Sequence, residues 1–350
     1  MFFSSHIVKE IRLKNYYKYL LFFILILYGS NYSLNLLNPK TSIDIQGHRG
    51  ARGLAPENTL AGFRTAISLG VTTIELDIGV TKDGIPIIFH DTAINPQLCL
   101  QLDGQPIFLD SLGHGPFIKD LTLAEIKSFD CGTLNPDLSR FPEPPRVNIP
   151  GEKIPTLQEL FDLLIEYPEK DIWCNIELKT NPNNLSTHSI TEFADAVLKV
   201  IDINNRSSHV NIQSFQWDIL DYVRKQNPSI LLAGLMGLSS YKSVYESTPS
   251  PWLNGIHFEH VGGTSLAVLE EAKQYIDIFS PSWRLIMPSD SRFLGSTVYE
   301  IQSAGFKVIP WTINKTQTMK KLINEGVDGI ITDYPDSLIF ILNKQNISVK

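Results

Sequence analysis

Thr73-Ile-Glu-Leu-Asp-Ile-Gly-Val80, Thr81-Lys-Asp-Gly84 and Ile85-Pro-Ile-Ile-Phe-His90 decide how this chain folds. The first and last of these runs read as strands, rich in β-branched and aromatic residues. Only Thr-Lys-Asp-Gly separates them. A parallel crossover needs about a dozen residues or more, whereas a short turn with Asp-Gly closes a hairpin. Ile85–His90 is therefore predicted to return antiparallel beside Thr73–Val80 and to stand outside any parallel series.

Outward from this hairpin, the other candidate strands are Ile43–Gly47, Ile172–Leu178, Val210–Ser214, Ile230–Leu235, Ile276–Ser280, Val308–Trp311 and Gly329–Thr332. Amphipathic stretches lie between most of them. Thr59–Leu69 places Leu60, Phe63, Ala66 and Ile67 on one face, and Gly70 follows as a stop. Ile190–Ile203 and Thr316–Asn324 read as further helices. Thr122 with Glu125, and Thr156 with Glu159, have capping-box spacing. With the hairpin return set aside, eight strands remain, which predicts an α/β chain folded as a (β/α)₈ TIM barrel. A doubly wound open sheet is the alternative. Gly255–His260 leaves room for one more short strand.

Asp91–Pro155 breaks the rhythm. It is rich in Pro and Gly, includes Phe141-Pro-Glu-Pro-Pro145, and holds one helix after Thr122. So long an irregular stretch is uncommon unless functional. It reads as an insertion, 92–155, packed over one end of a barrel that spans 43–340, with 341–350 as a tail.

Residues 1–42 differ again. Lys9, Arg12, Lys14 and Lys18 precede an apolar run from Tyr19 to Tyr28, the pattern of an export signal. Residues 16–37 would serve as an uncleaved anchor; a buried N-terminal helix is the bland reading. The expectation is an exported chain, periplasmic or secreted. An oxidising space would allow Cys99 and Cys131, both in the loop-rich region, to pair. Cys174 reads as a small buried apolar residue. Of 350 residues, 30 are basic and 37 acidic, for a net charge of −7, which argues against broad nucleic-acid binding. Three cysteines are too few for a disulfide scaffold.

Polar residues interrupt the strands near their C-terminal ends, where a barrel of this kind carries its active site. Alternation puts Glu75 and Asp77 on one face of their strand, and Glu177 and Lys179 on one face of theirs. Three carboxylates in the mouth of a barrel repel one another, and a hard cation relieves this. Oxygen-only ligands favour Ca²⁺ or Mg²⁺ over zinc. The competing reading is a salt bridge from Glu75 to Lys179 or Arg49. His48 and His90, at strand ends, suit proton transfer near neutral pH. Arg49 and Lys179 offer positive charge to an anion, and Arg grips phosphate by two bonds. A phosphate ester follows as the expected substrate.

The ordered motifs make the chain recognisable. They are His48-Arg49-Gly50, Pro56-Glu57-Asn58-Thr59, Glu75-Leu76-Asp77, Lys82-Asp83-Gly84, His90-Asp91, Glu177-Leu178-Lys179, Ser214-Phe215, Trp311-Thr312-Ile313-Asn314 and Gly326 to Pro335. In this order they resemble the glycerophosphodiester phosphodiesterase family, of the bacterial exported type. The resemblance implies a (β/α)₈ barrel with an insertion after the His-Asp word. It implies one divalent metal, Ca²⁺ before Mg²⁺, on Glu75, Asp77 and Glu177, and an acid–base pair in His48 and His90. It makes Arg49 and Lys179 phosphate contacts and sets Phe215 and Trp311 along the substrate pocket. Glu57 and Asn58 become either supports of the first loop or a helix N-terminus. Asp91 orients His90; Asp333 orients the site or simply ends the last strand. Arg52 is given no role. The implied reaction is metal-dependent hydrolysis of a small-molecule glycerophosphodiester to sn-glycerol 3-phosphate and an alcohol. The alternative is phospholipase D-type cleavage of lysolipid or sphingolipid headgroups. Membrane association would come only through the N-terminus.

Overall fold

A computed structural model of the chain describes residues 42–241 and 248–350. The predicted export segment, Ser42 apart, lies outside the described residues, and so does the anchor at 16–37. The strands are β1 (Ser42–Gly47), β2 (Thr73–Val80), β3 (Pro86–Ile88), β4 (Leu100–Gln101), β5 (Phe129–Asp130), β6 (Trp173–Leu178), β7 (Val210–Ser214), β8 (Leu231–Met236), β9 (Ile278–Pro281), β10 (Lys307–Val308), β11 (Gly329–Thr332) and β12 (Ser348–Val349).

Eight of them run in parallel in the order β10-β9-β8-β7-β6-β2-β1-β11. The circle is completed by backbone bonds from Asp328 N–H to Val308 O, at 2.8 Å, and from Ile331 N–H to Pro310 O, at 3.1 Å. Pro310 has no N–H to return, so the ladder is thin at this seam. The architecture is the (β/α)₈ barrel. β3 pairs antiparallel with β2, with Ile78 opposite Ile88 and Val80 opposite Pro86, as the short Asp-Gly turn requires.

Some boundaries differ from the sequence reading. β3 stops at Ile88 rather than His90: Ile88 N–H bonds to Pro155 O at 2.7 Å on its outer edge, Phe89 N–H makes one last bond to Asp77 O of β2 at 2.9 Å, and the chain bends away at His90. β10 stops at Val308, two residues short of Pro310, while Trp311 keeps an isolated parallel bridge to Ser282. Gly255–His260 forms turns and no strand. Residues 341–350 are not a loose tail. A helix, Pro335–Gln345, carries its apolar face past residue 340 with Ile341 and Leu342 buried, and β12 then pairs with the start of β1.

Alternation along the strands divides the barrel. Outward residues such as Ile45, Ile74, Leu76, Ile78, Cys174 and Ile176 pack beneath the helices. The inward positions of β1, β2, β6 and β7 are polar and buried: Asp44, Gln46, Glu75, Asp77, Asn175, Glu177, Asn211 and Gln213. The other side of the interior is filled by Ala233, Ile278, Ile309 and Ile331. Capping follows the sequence. Thr59 Oγ1 accepts the Gly62 N–H at the start of helix Leu60–Leu69, and Gly70, at φ 101°, ends it. Both predicted capping boxes form.

The insertion has its own small core, in which Phe89, Ile94, Leu98 and Ile118 pack around the disulfide between Cys99 and Cys131. Cys174 is free and buried.

Candidate active site

The register of β2 against β6 sets Asp77 opposite Glu177, with Glu75 two residues back on the same inward face. One carboxylate oxygen from each of Glu75, Asp77 and Glu177 lies within 4.8 Å of the others, and all three side chains are buried. Glu75 is met on both oxygens by N–H groups: Arg49 N–H at 2.9 Å and Gln213 Nε2 at 2.8 Å. Asp77 accepts from Asn58 Nδ2 at 2.9 Å and stands 3.2 Å from Arg49 Nε and 3.6 Å from Lys179 Nζ. Glu177 pairs with Lys179 Nζ at 2.8 Å. The rival reading, a salt bridge from Glu75 to Lys179 or Arg49, is not what the structure holds. Those cations pair with Asp77 and Glu177 instead, and Glu75 takes only the Arg49 backbone N–H and Gln213. Arg49 also gives Nη1 to Glu57 at 2.5 Å.

Burial, and then the charges of Asp77 and Glu177, push the Glu75 carboxyl well above its ordinary range. Burial also raises Glu177, against the pull of Lys179. For Asp77 burial is outweighed by Arg49, His90 and Lys179, which hold it low. Three ionised carboxylates here need more positive charge than the side chains supply.

The turn after β1 aims Arg49 at this cluster. His48 N–H bonds to Thr332 O at 2.9 Å, and Arg49 and Gly50 take positive φ, 50° and 88°. A Cβ at Gly50 would come within 2.9 Å of the Gly62 backbone, so only glycine fits there. Glu57 and Asn58 precede the helix that begins at Leu60, and both brace the first loop: Glu57 accepts from Arg49 and Arg52, and Asn58 donates to Asp77.

Each histidine is held through Nδ1 by a carboxylate. His48 Nδ1 lies 2.5 Å from Asp333 Oδ1, and His90 Nδ1 lies 2.6 Å from Asp91 Oδ1. That leaves Nε2 of each ring to exchange a proton. Asn95 Nδ2 steadies Asp91 at 2.7 Å. Asp333 is wholly buried and also accepts from Asn314 Nδ2 at 2.5 Å and Arg140 Nη2 at 3.2 Å. Burial lowers the proton affinity of His48, and Asp333 opposes this. Burial would raise the Asp333 carboxyl, but the His48 charge and hydrogen bond keep it far below the usual range.

His48, Arg49, Glu75, His90, Glu177, Lys179, Phe215 and Trp311 line one cavity of about 210 Å³. Of the nine residues to which the sequence reading gives a catalytic, metal or substrate role, Asp77 alone is not on its wall; Glu57, Asn58, Asp91 and Asp333, read as supports, also lie off it. Phe215 and Trp311 meet edge to face, ring centres 5.5 Å apart, and Trp311 Nε1 donates to Ser280 O at 2.8 Å. The cavity shares His90, Glu177, Lys179 and Phe215 with a wider groove of about 1200 Å³ between the insertion and the loops after β6, β7 and β8. Sequence reasoning missed Gln213, Arg52 and Arg140 on the cavity wall. Gln213 had a signal, a polar inward residue on a strand; Arg140 had none.

The chain matches the glycerophosphoryl diester phosphodiesterase family over residues 48–337. It is 31% identical over 297 residues to a glycerophosphodiester phosphodiesterase of Caldanaerobacter subterraneus subsp. tengcongensis, covering 85% of this chain and 96% of that one. A solved structure from Silicibacter pomeroyi DSS-3, assigned to the glycerophosphoryl diester phosphodiesterases, superposes with a TM-score of 0.74 at 26% identity, covering 89% of this chain and 96% of that one. An Oleispira antarctica phosphodiesterase, solved in complex with the product sn-glycerol-3-phosphate, gives 0.58 at 25% identity, covering 86% and 96%. With the barrel and the ordered motifs in agreement over nearly all of the described residues, the chain belongs to the glycerophosphoryl diester phosphodiesterase family.

Proposed function

We propose that this chain hydrolyses glycerophosphodiesters to sn-glycerol 3-phosphate and a free alcohol, with a divalent cation on Glu75, Asp77 and Glu177 and with His48 and His90 exchanging protons. Family membership and the product bound by the Oleispira relative support the reaction. The observation that carries the reading is the charge of the cavity. With all four ionised, Glu57, Glu75, Asp77 and Glu177 stand against Arg49, Arg52 and Lys179 and leave one negative charge in excess, Arg140 on the same wall being matched by Asp333. Burial and this excess together raise the Glu75 carboxyl when no cation is bound. A divalent cation turns the excess into one positive charge, the complement of a phosphodiester monoanion.

The donor set fits such a cation. It consists of carboxylate oxygens alone, buried and mutually close, which suits Ca²⁺ first and Mg²⁺ second. When bound, the cation would draw charge from a phosphoryl oxygen and hold the glycerol hydroxyls. Arg49 and Lys179, already beside these carboxylates, offer N–H donors to the phosphate. One imidazole takes the proton of the nucleophile, and the other gives a proton to the departing alkoxide. The nucleophile is water or the neighbouring glycerol hydroxyl; the second route gains from proximity and passes through a cyclic phosphate. Phe215 and Trp311 wall the pocket. Export of the chain is part of this reading, supported by the basic and then apolar N-terminus and by the Cys99–Cys131 disulfide.

The test is to incubate the purified chain with glycerophosphocholine, glycerophosphoethanolamine and lysophosphatidylcholine, with Ca²⁺, Mg²⁺ or a chelator, and to identify products by phosphorus NMR. The expected result is sn-glycerol 3-phosphate from the first two, and silence after chelation. Choline release from the lysolipid alone would replace this reading by the phospholipase D type, for which the groove of about 1200 Å³ has room.

A further inference from the structure

We infer that Arg140, carried by the insertion, is a positioning residue for His48: acting through Asp333, it fixes the imidazole and sets its readiness to take a proton, so the insertion completes the active site. This rests on the acid–base role proposed for His48.

Among the described residues lining the cavity of about 210 Å³, Arg140 is the one that the 92–155 insertion supplies. It lies 193 residues from Asp333 in sequence, yet its Nη2 donates to Asp333 Oδ2 at 3.2 Å. The other oxygen of that carboxylate holds His48 Nδ1. Asp333 is fully buried, so how its charge is shared between His48, Asn314 and Arg140 is set by these few bonds.

The turn bearing Arg140 is built to hold it. Asp137 Oδ1 accepts from the Ser139 N–H, the Ser139 hydroxyl and the Arg140 N–H. Tyr334, the residue after Asp333, gives its hydroxyl to Arg140 O at 2.9 Å. The guanidinium rests 5.0 Å from the centre of the Phe141 ring, and Phe141 is itself buried and held by Asn135 on its carbonyl. The insertion and the end of β11 therefore fasten each other on both sides of the carboxylate.

The charged groups facing His48 are Asp333, Arg49 and Arg52, with Arg140 behind Asp333. Asp333 favours the imidazolium and the arginines disfavour it. Taking Arg140 away leaves Asp333 a stronger partner for a protonated ring.

The experiment compares the full chain with its Arg140→Gln, Arg140→Lys, Asp333→Asn and Arg140→Gln/Asp333→Asn variants, by imidazole NMR titration and by pH–rate profiles on glycerophosphocholine. In Arg140→Gln, the His48 titration and the matching limb of kcat/KM should move up by roughly a few tenths of a pH unit, because the Arg140 side chain is 46% exposed and solvent screens its charge. kcat should fall roughly tenfold with KM nearly unchanged. Arg140→Lys should recover part of both effects. On the Asp333→Asn background the loss of Arg140 should cost little more. A titration that overlays the wild type, losses that add in the double variant, or a rise in KM alone would each overturn the inference. Full activity of His48→Ala, or no diester cleavage by the wild type, would instead remove the acid–base reading; the NMR titration would still report on Arg140.

Discussion

His48 and His90 share a chemistry and differ in surroundings. The His48 side chain is 12% exposed against a carboxylate with no exposure, whereas His90 is 31% exposed against one that is 37% exposed. Alanine at either position should lower turnover by about 10²–10⁴-fold and leave the circular dichroism spectrum unchanged; wild-type rates in both variants would end the acid–base assignment. The burial of His48 also predicts a pH effect on stability. Its folded proton affinity is lowered, so below the unfolded value of about 6.5 the unfolded chain binds more protons. Stability is therefore lost as pH falls through that window. Urea unfolding at about pH 7 and about pH 5 should show a larger loss for the wild type than for His48→Gln, and equal losses would contradict the burial argument. At this scale the sequence was informative where the candidate site sits at strand ends. Glu75, Asp77, Glu177 and both histidines stood out because charged residues interrupted apolar strands. Arg140 did not, and Asn314 was quoted within a motif but given no role, since the use of both depends on contacts with Asp333 that no local pattern records.

The elements position these residues through the polar half of the barrel interior. Gln213 Nε2 donates to Glu75, and Gln213 Oε1 accepts from Asn175 Nδ2 at 3.0 Å. The same Asn175 nitrogen donates to Gln46 Oε1 at 2.7 Å, and Gln46 in turn donates to Asp44 at 2.9 Å. Asn211 Nδ2 gives the Asn175 carbonyl its donor at 2.5 Å. The carboxylates at the two ends thus dictate which way every amide between them faces. Asn175→Leu should leave three buried amides short of a partner and cost about 3 kcal/mol or more in urea unfolding. Gln213 would no longer be held toward Glu75, so Ca²⁺ affinity by calorimetric titration should fall about tenfold or more. Unchanged affinity in the folded variant would show that Glu75 needs no such support. Much of the element level was legible: the hairpin from its four-residue turn, the helices from their caps, and the strand order from the alternation of strand and helix. The amide ladder was not, although Asp44, Gln46, Asn175, Asn211 and Gln213 recur at every second position, where barrel interiors are usually apolar.

At the scale of the whole molecule, the barrel and the insertion keep separate apolar cores and meet around the site. The length of the insertion was readable from its Pro and Gly content, but its folding was not, because its core is small and a disulfide stands in for missing apolar area. The most general consequence lies in the charge that the fold concentrates. Folding brings Glu75, Asp77 and Glu177 from two strands into one buried place and supplies Arg49 and Lys179 as partial relief. The unfolded chain holds these carboxylates apart in water and binds a cation weakly. A cation that prefers the folded state must then stabilise it, by about 2.7 kcal/mol at a hundredfold excess over Kd. For a chain of this size that is a rise of several degrees in Tm. Calorimetric scans in Ca²⁺ and in chelator should therefore separate for the wild type, and activity should be lost and regained with the cation. In Asp77→Asn, which removes one charge of the three and keeps the shape, the two scans should draw together. Coincident scans for the wild type in saturating Ca²⁺ and in chelator would mean that Arg49 and Lys179 already satisfy the cluster, and that the three carboxylates serve the fold as ion pairs alone.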